Sequence, residues 1–250
     1  MLFGIWNLTI GILAKQSFRF KQFTIHQERC AMKIGTDGVL LGAVASVENN
    51  PNSILDIGSG TGVIALMLAQ RSGAETIDAI EIDDEAHGQC VENFEGSPWS
   101  DRLFCYHASF QAFYGEMDET YDLIVSNPPF YTENVSSGNI KRDKARQNAA
   151  LPFEQLFEGV HKLLAEKGVF SLIIPKDHEN RVFELAERIG LFPFEILRVR
   201  GTIDASIKRS IIQFSRYNGK LTESVLTIER ERHRFTKEYI QLTQDFYLKM

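Results

Sequence analysis

Five short runs of nearly continuous apolar residues recur along the chain: ILDIG (54–58), TIDAIEID (76–83), LFCYHA (103–108), YDLIVSN (121–127) and VFSLIIP (169–175). Strands covered on both faces lose the alternation seen in half-exposed ones, so such runs predict a parallel sheet flanked by helices. The amphipathic stretches between them, at about 61–72, 84–95, 152–166 and 177–190, supply those helices. A repeated βα rhythm of this kind predicts a doubly wound α/β domain. After Pro193 the pattern changes to FEILRVRG and SIIQFSR, which predict an antiparallel hairpin closing one edge of a mostly parallel, seven-stranded sheet.

The ends of the chain carry their own patterns. FRFKQFTIHQ alternates like a strand, and TDGVLLGAVA reads as a helix with Thr36 or Asp37 as its N-cap, where a side-chain oxygen can accept from a free first-turn amide. FTKEYIQLTQDFYLKM places Tyr239, Leu242 and Phe246 at i, i+3 and i+7, the stripe of a docking helix. No linker or repeat divides the chain. One domain is expected over 18–250, with an N-terminal segment that contacts substrate and cofactor (18–50), a core (51–217) and a C-terminal strand and helix (218–250). Residues 1–17 are expected to be a disordered extension. Its apolar start, MLFGIWNLTIGILA, is too short to span a bilayer and has no positively charged leader.

Charge and cysteine content narrow the function. The 27 basic and 33 acidic residues leave a net charge of −6, which excludes a protein that coats nucleic acid through bulk positive charge; a nucleic-acid partner must meet a local patch. Cys30, Cys90 and Cys105 are far apart and in no metal-ligand spacing, so neither a disulfide framework nor a metal site is expected, and a reducing cytoplasm fits.

The chemistry concentrates at strand ends. ILDIGSGTG runs from a strand into a helix with glycines at 58, 60 and 62, spaced GxGxG rather than the GxGxxG of a dinucleotide site. Glycine permits positive φ and removes the Cβ that would keep a ligand off the backbone. Asp56 at the mouth of this turn repels a polyphosphate and suits a ligand with an ammonium group, of which S-adenosylmethionine is one. Glu81 falls about 20 residues beyond the loop, where this type of fold offers a carboxylate to paired ribose hydroxyls. Asp83 and Asp84 read as caps of the next helix. Ser109 stands where an adenine edge is expected, and a turn satisfied within the core accounts for it equally well.

SNPPFY (126–131) follows the fourth strand. Proline fixes φ and lacks an N–H, so this turn is rigid and presents carbonyls with no local donor. The Asn127 side-chain oxygen and the Pro128 carbonyl, braced by Pro129, can each accept a hydrogen of a planar NH2 group, with Phe130 stacked on the ring that carries it. Such an arrangement methylates a nitrogen without a strong base, by positioning and fixed dipoles.

With these residues in hand, the chain resembles the bacterial tRNA1(Val) adenine-37 N6-methyltransferases, which have the Rossmann-like class I S-adenosylmethionine-dependent fold. FKQFTIHQERCAMKIGTDGVLLGAVA (21–45), ILDIGSGTG, YDLIVSNPPFY and EYIQLTQDFYLKM carry the resemblance, which covers about residue 18 to the end. It implies that TDGVLL lines the methionine end of the cofactor, adding Thr36 and Asp37, and that Asn127 to Phe130 hold the target adenine. The implied partner is the anticodon loop of a tRNA, where a base can be splayed out cheaply. Lys141, Arg142, Lys144 and Arg146 in KRDKAR are then candidate phosphate contacts, with RVRGTIDASIKRSIIQFSR (198–216) a second basic run. No feature calls for an obligate protein partner or a membrane. The rival readings are an N5-glutamine methyltransferase acting on a protein, for which only about 35 recognisable residues precede the glycine loop, a DNA adenine methyltransferase, and an RNA-binding module that keeps the cofactor without turnover.

Overall fold

The computed structural model describes residues 17–129 and 151–249. In chain order the elements are β1 (Ser17–Arg19), β2 (Thr24–His26), α1 (Thr36–Val44), β3 (Ser53–Ile57), α2 (Val63–Arg71), β4 (Thr76–Glu81), α3 (Asp84–Glu95), β5 (Leu103–His107), α4 (Phe110–Glu116) and β6 (Tyr121–Ser126). They continue with α5 (Phe153–Leu163), β7 (Leu164–Pro175), a 3-10 turn (Lys176–His178), α6 (Glu179–Arg188), β8 (Phe192–Arg200), β9 (Arg209–Ser215), β10 (Thr222–Thr227), β11 (Glu229–Glu231), β12 (Arg234–Phe235) and α7 (Lys237–Thr243).

The sheet order is β10-β8-β9-β7-β6-β3-β4-β5, with β9 antiparallel to both neighbours and every other pairing parallel. The strands between its edges are largely apolar because alternate residues feed two cores. The edge strands β5 and β10 leave most of their side chains at least partly exposed, so LFCYHA is not covered on both faces as its apolar run predicts. Ile54, Ile77, Leu123, Val125, Ile173 and Ile211 enter one core together with α1 and α2. Leu55, Ile80, Ile124, Leu172, Ile174 and Ile212 enter the other, against α4, α5 and α6. The connections leave β3 toward β4 on one side and reach β6 on the other, so the strand order reverses between β3 and β6. A ligand crevice forms at the carboxyl ends of the strands at such a switch point.

The doubly wound α/β architecture is as the pattern predicts, with four local differences. The sheet has eight strands, because Thr222–Thr227 joins parallel to β8 and places the β8–β9 hairpin inside the sheet rather than at its edge. FRFKQFTIHQ forms two short antiparallel strands, turned by a Phe20 N to Phe23 O bond of 2.9 Å, instead of one. The stretch expected to be helical to residue 166 leaves the helix at Leu163 and enters β7 directly; Gly168 sits at the irregularity, where a Cβ would lie 2.9 Å from the Tyr121 carbonyl. Finally, Gly35 occupies the N-cap of α1, so Thr36 and Asp37 are its first two helical residues rather than its cap.

The C-terminal helix docks as its stripe predicts: Tyr239 and Phe246 are buried, and Leu242 packs against the same core. Phe20 stacks on Phe23 at 4.6 Å and on Tyr247 at 5.8 Å, joining both ends of the described chain. Among the described residues no helix is long and apolar enough to cross a membrane.

Candidate active site

The glycine turn is tied to the neighbouring strand: the amides of Gly58 and Ser59 both donate to the Ile80 carbonyl, at 2.9 and 3.0 Å. Gly58, Gly60 and Gly62 all have positive φ, +74°, +54° and +76°. Their surroundings separate them. A Cβ on Gly58 or Gly60 would meet nothing within 4 Å, whereas one on Gly62 would lie 2.6 Å from the Phe94 ring and 2.8 Å from Cys90 Sγ. Two glycines therefore keep a crevice open, and the third lets α2 start against α3.

Glu81 ends β4 facing this turn and is buried. Its Oε2 accepts the Gly60 amide at 2.8 Å, and its Oε1 accepts the Ile82 and Asp83 amides at 2.9 Å each. Asp83 caps α3, accepting from Ala86 N, as the sequence predicts. Ser109 caps α4 through Ala112 N and also faces the crevice.

Asp56 is placed differently from expectation. It lies fully buried beneath the loop, with Oδ2 accepting from Ala65 N at 3.2 Å, and it is not among the residues lining the crevice. Oδ1 has no hydrogen-bond partner among the described residues. Burial, reinforced by the nearby Glu81 charge, pushes this carboxyl up to about 7 against the opposing effect of the Ala65 amide. The residue braces the first turn of α2 from below because its strand position points into the core.

On the opposite wall, Ser126 Oγ donates to the Ile57 carbonyl at 3.0 Å and locks β6 to β3 at the point where the chain turns into Asn127-Pro128-Pro129. These three residues line the same crevice as Gly58, Gly60, Glu81 and Ser109. Asn127 Nδ2 faces the start of α1, 3.9 Å from where a Cβ on Gly38 would stand. Thr36 and Asp37 do not line the crevice; Asp37 instead pairs with Arg209, Oδ2 to Nε 2.7 Å. Phe130, Lys141, Arg142, Lys144 and Arg146 lie outside the described residues.

The crevice has a third wall that the pattern of strands and loops does not reveal: Cys30, Ala31 and Met32, from the segment between β2 and α1. Asn93 fastens this segment, its amide donating to His26 O at 2.8 Å and to Thr61 O at 2.9 Å while His26 N donates back to Asn93 Oδ1. The Cys30 thiol is pushed up to about 12, chiefly by burial and then by Glu81, so it is a neutral, apolar lining group at ordinary pH. The available signal is the ERCAMKIG stretch, apolar residues with no helical or strand period. Ile82, Gln111 and Leu151 also line the crevice.

A glycine-opened crevice at a switch point, walled by an acidic strand end and a rigid Asn-Pro-Pro turn, is an arrangement that fits the methyltransferase class of enzyme. Residues 34–183 match the family described as methyltransferase small domain. Solved structures agree at the level of fold. They include a predicted O-methyltransferase from Agrobacterium tumefaciens (TM-score 0.65, 20% identity, 84% of this chain and 96% of that one) and a ribosomal protein L11 methylase from Lactobacillus delbrueckii subsp. bulgaricus (TM-score 0.51, 17% identity, 72% and 77%). Curated relatives named tRNA1(Val) (adenine(37)-N6)-methyltransferase are 56% identical in Christiangramia forsetii (95% of this chain, 100% of the relative), 54% in Flavobacterium psychrophilum (93% and 100%) and 43% in Bacteroides fragilis (95% and 100%). The chain belongs to the tRNA1(Val) (adenine(37)-N6)-methyltransferase family.

Proposed function

We propose that this enzyme transfers a methyl group from S-adenosylmethionine to the exocyclic N6 of adenine 37 in the anticodon loop of tRNA1(Val). The observation that supports it most is the convergence of two halves on one crevice: the open Gly58–Gly60 turn with Glu81 on one wall, and Asn127-Pro128-Pro129 on the other. The names of the relatives supply the nucleic acid and the position.

The residues present fit the cofactor. The space a Cβ would fill at Gly58 and Gly60 admits a nucleoside close to the backbone. Glu81 spends three acceptor positions on amides, and a carboxylate has about four, so one remains for a ribose hydroxyl. Ser109 and Ile82 border the same space on the side where the base would lie, and Thr36 and Asp37 open α1, whose Gly38 faces Asn127. Bound there, S-adenosylmethionine supplies an electrophilic methyl on a sulfonium centre.

The chain's part is to orient the acceptor nitrogen. Asn127 Oδ1 and the Pro128 carbonyl each accept one hydrogen of the adenine amino group, which draws its lone pair out of conjugation with the ring. Phe130 stacks on the base. No side chain removes a proton beforehand; the surplus proton leaves to solvent after transfer. Positioning of this kind reaches effective molarities on the order of 10⁵ M, roughly 7 kcal/mol of barrier.

Incubation with labelled S-adenosylmethionine and separate tRNA, rRNA, DNA and protein pools tests the reading. Label in tRNA that maps to N6 of adenine 37 is expected. Label confined to protein would transfer the same site to a glutamine amide, and label in no pool would reject turnover.

A further inference from the structure

The strands β6, β7, β8 and β10 all end at one sheet edge, where β9 also begins. That edge carries Asn127 at one end, and beyond β10, four strand spacings away, the β11–β12 hairpin. At ~4.8 Å per strand the separation is about 19 Å. The hairpin is fixed in place by backbone bonds: Ile228 N to Arg200 O at 3.0 Å, Glu229 N to Gly201 O at 2.8 Å, and Thr236 N to Ile228 O at 2.9 Å. Its tip turns through His233, a non-glycine residue at φ +65°.

Two of the three arginines it presents make no bond that serves the fold. The side chains of Arg230 and Arg232 are exposed and make no hydrogen bond or ion pair among the described residues, and the same holds for the side chains of Lys208 and Lys237 on either side of it. The acids of the hairpin are occupied or balanced: Glu229 accepts from His233 N at 3.3 Å, and Glu231 faces Arg234 at 3.5 Å. Lys208 is brought in line with the catalytic edge by Lys208 N to Val199 O, 2.9 Å, and by Lys176 N to Lys208 O, 3.2 Å. Unpaired cations gathered at one rim of a protein with a net charge of −6 are a localised anion-attracting surface.

We propose that the β11–β12 hairpin, with Lys208 and Lys237, is a phosphate-binding surface for the stem of the RNA whose loop base enters the crevice. The inference rests on the tRNA reading above. A base held at Asn127 leaves the stem running along the sheet edge, where Lys208, about two strand spacings (~10 Å) away, and the hairpin cations, about 19 Å away, grip backbone that carries no sequence information. The surface contributes affinity and register, while the crevice selects the base.

The test is the quadruple variant Lys208→Gln, Arg230→Gln, Arg232→Gln, Lys237→Gln in the full chain, compared with wild type for tRNA binding over a series of salt concentrations. The slope of log affinity against log salt should fall by roughly 0.7 to 0.9 for each phosphate that is no longer neutralised. KM for tRNA should rise tenfold or more, with kcat at saturating tRNA, S-adenosylmethionine affinity and melting temperature unchanged. A wild-type slope in a variant that melts normally overturns the hairpin surface and leaves the tRNA reading intact. Failure of wild-type enzyme to methylate tRNA rejects that reading and this surface with it.

Discussion

Glu81 Oε2 accepts the amide of Gly60 at 2.8 Å, so the carboxylate that ends β4 also sets the shape of the glycine turn after β3. One side chain thus links the two βα connections that form one wall of the crevice. It braces both through three amides, whatever else it binds.

The dual role has a measurable consequence. Glu81→Ala leaves the Gly60, Ile82 and Asp83 amides without their acceptor and removes the proposed ribose partner. Hydrogen bonds to a charged group contribute about 1.5–3 kcal/mol, so S-adenosylmethionine affinity should fall at least tenfold, with tRNA affinity unchanged. Isothermal calorimetry for each ligand checks this; an unaltered cofactor affinity would remove Glu81 from the site.

The glycines of the loop should divide by phenotype. Positive φ costs an L residue roughly 1–2 kcal/mol at either Gly58 or Gly62. Gly58→Ala adds a methyl in open crevice, so cofactor affinity should drop more than tenfold with a small loss of melting temperature. Gly62→Ala adds overpacking against Phe94 and Cys90, about 1–3 kcal/mol more, and should melt several degrees lower. Equal melting temperatures for the two variants would contradict the division.

Asp56 gives a pH signature. Its folded-state carboxyl is pushed up to about 7 from an ordinary value of 3.8, so between these values the folded protein keeps a proton that the unfolded chain has released. The resulting stability is complete below about pH 4 and is lost as pH rises through about 7. Asp56→Asn cannot ionise and lacks this loss. Its melting temperature, relative to wild type without cofactor, should rise as pH increases from about 4 to about 8. A difference independent of pH would show that the buried carboxyl does not titrate there.

Much of this is legible in the chain. Runs such as ILDI and DLIV are apolar at nearly every position because both faces are covered, which is why β3, β4, β6 and β7 stand out, while β5 is legible through its apolar composition although it forms an edge. TESVLT in β10 buries only Leu226 and so carries no such signal. Residues 164–167, Leu-Ala-Glu-Lys, are good helix formers, and local propensity extends the helix past Leu163 where pairing with β6 overrides it. Asp56 stands beside the glycines in the chain, but strand alternation decides which face a side chain takes, and it faces the core. Cys30 and Met32 come from a segment without period, so their contribution to the crevice depends on a tertiary anchor, Asn93, that lies 67 residues from His26.

The most direct test of the central claim is single-turnover methylation of tRNA1(Val) by Asn127→Ala at saturating cofactor. Loss of one acceptor that strengthens as the amine pyramidalises should slow the chemical step by on the order of 10²-fold or more, while S-adenosylmethionine affinity stays at the wild-type value. Transfer to adenine 37 at the wild-type rate would contradict it, leaving Asn-Pro-Pro as no more than a stiff turn at the end of β6.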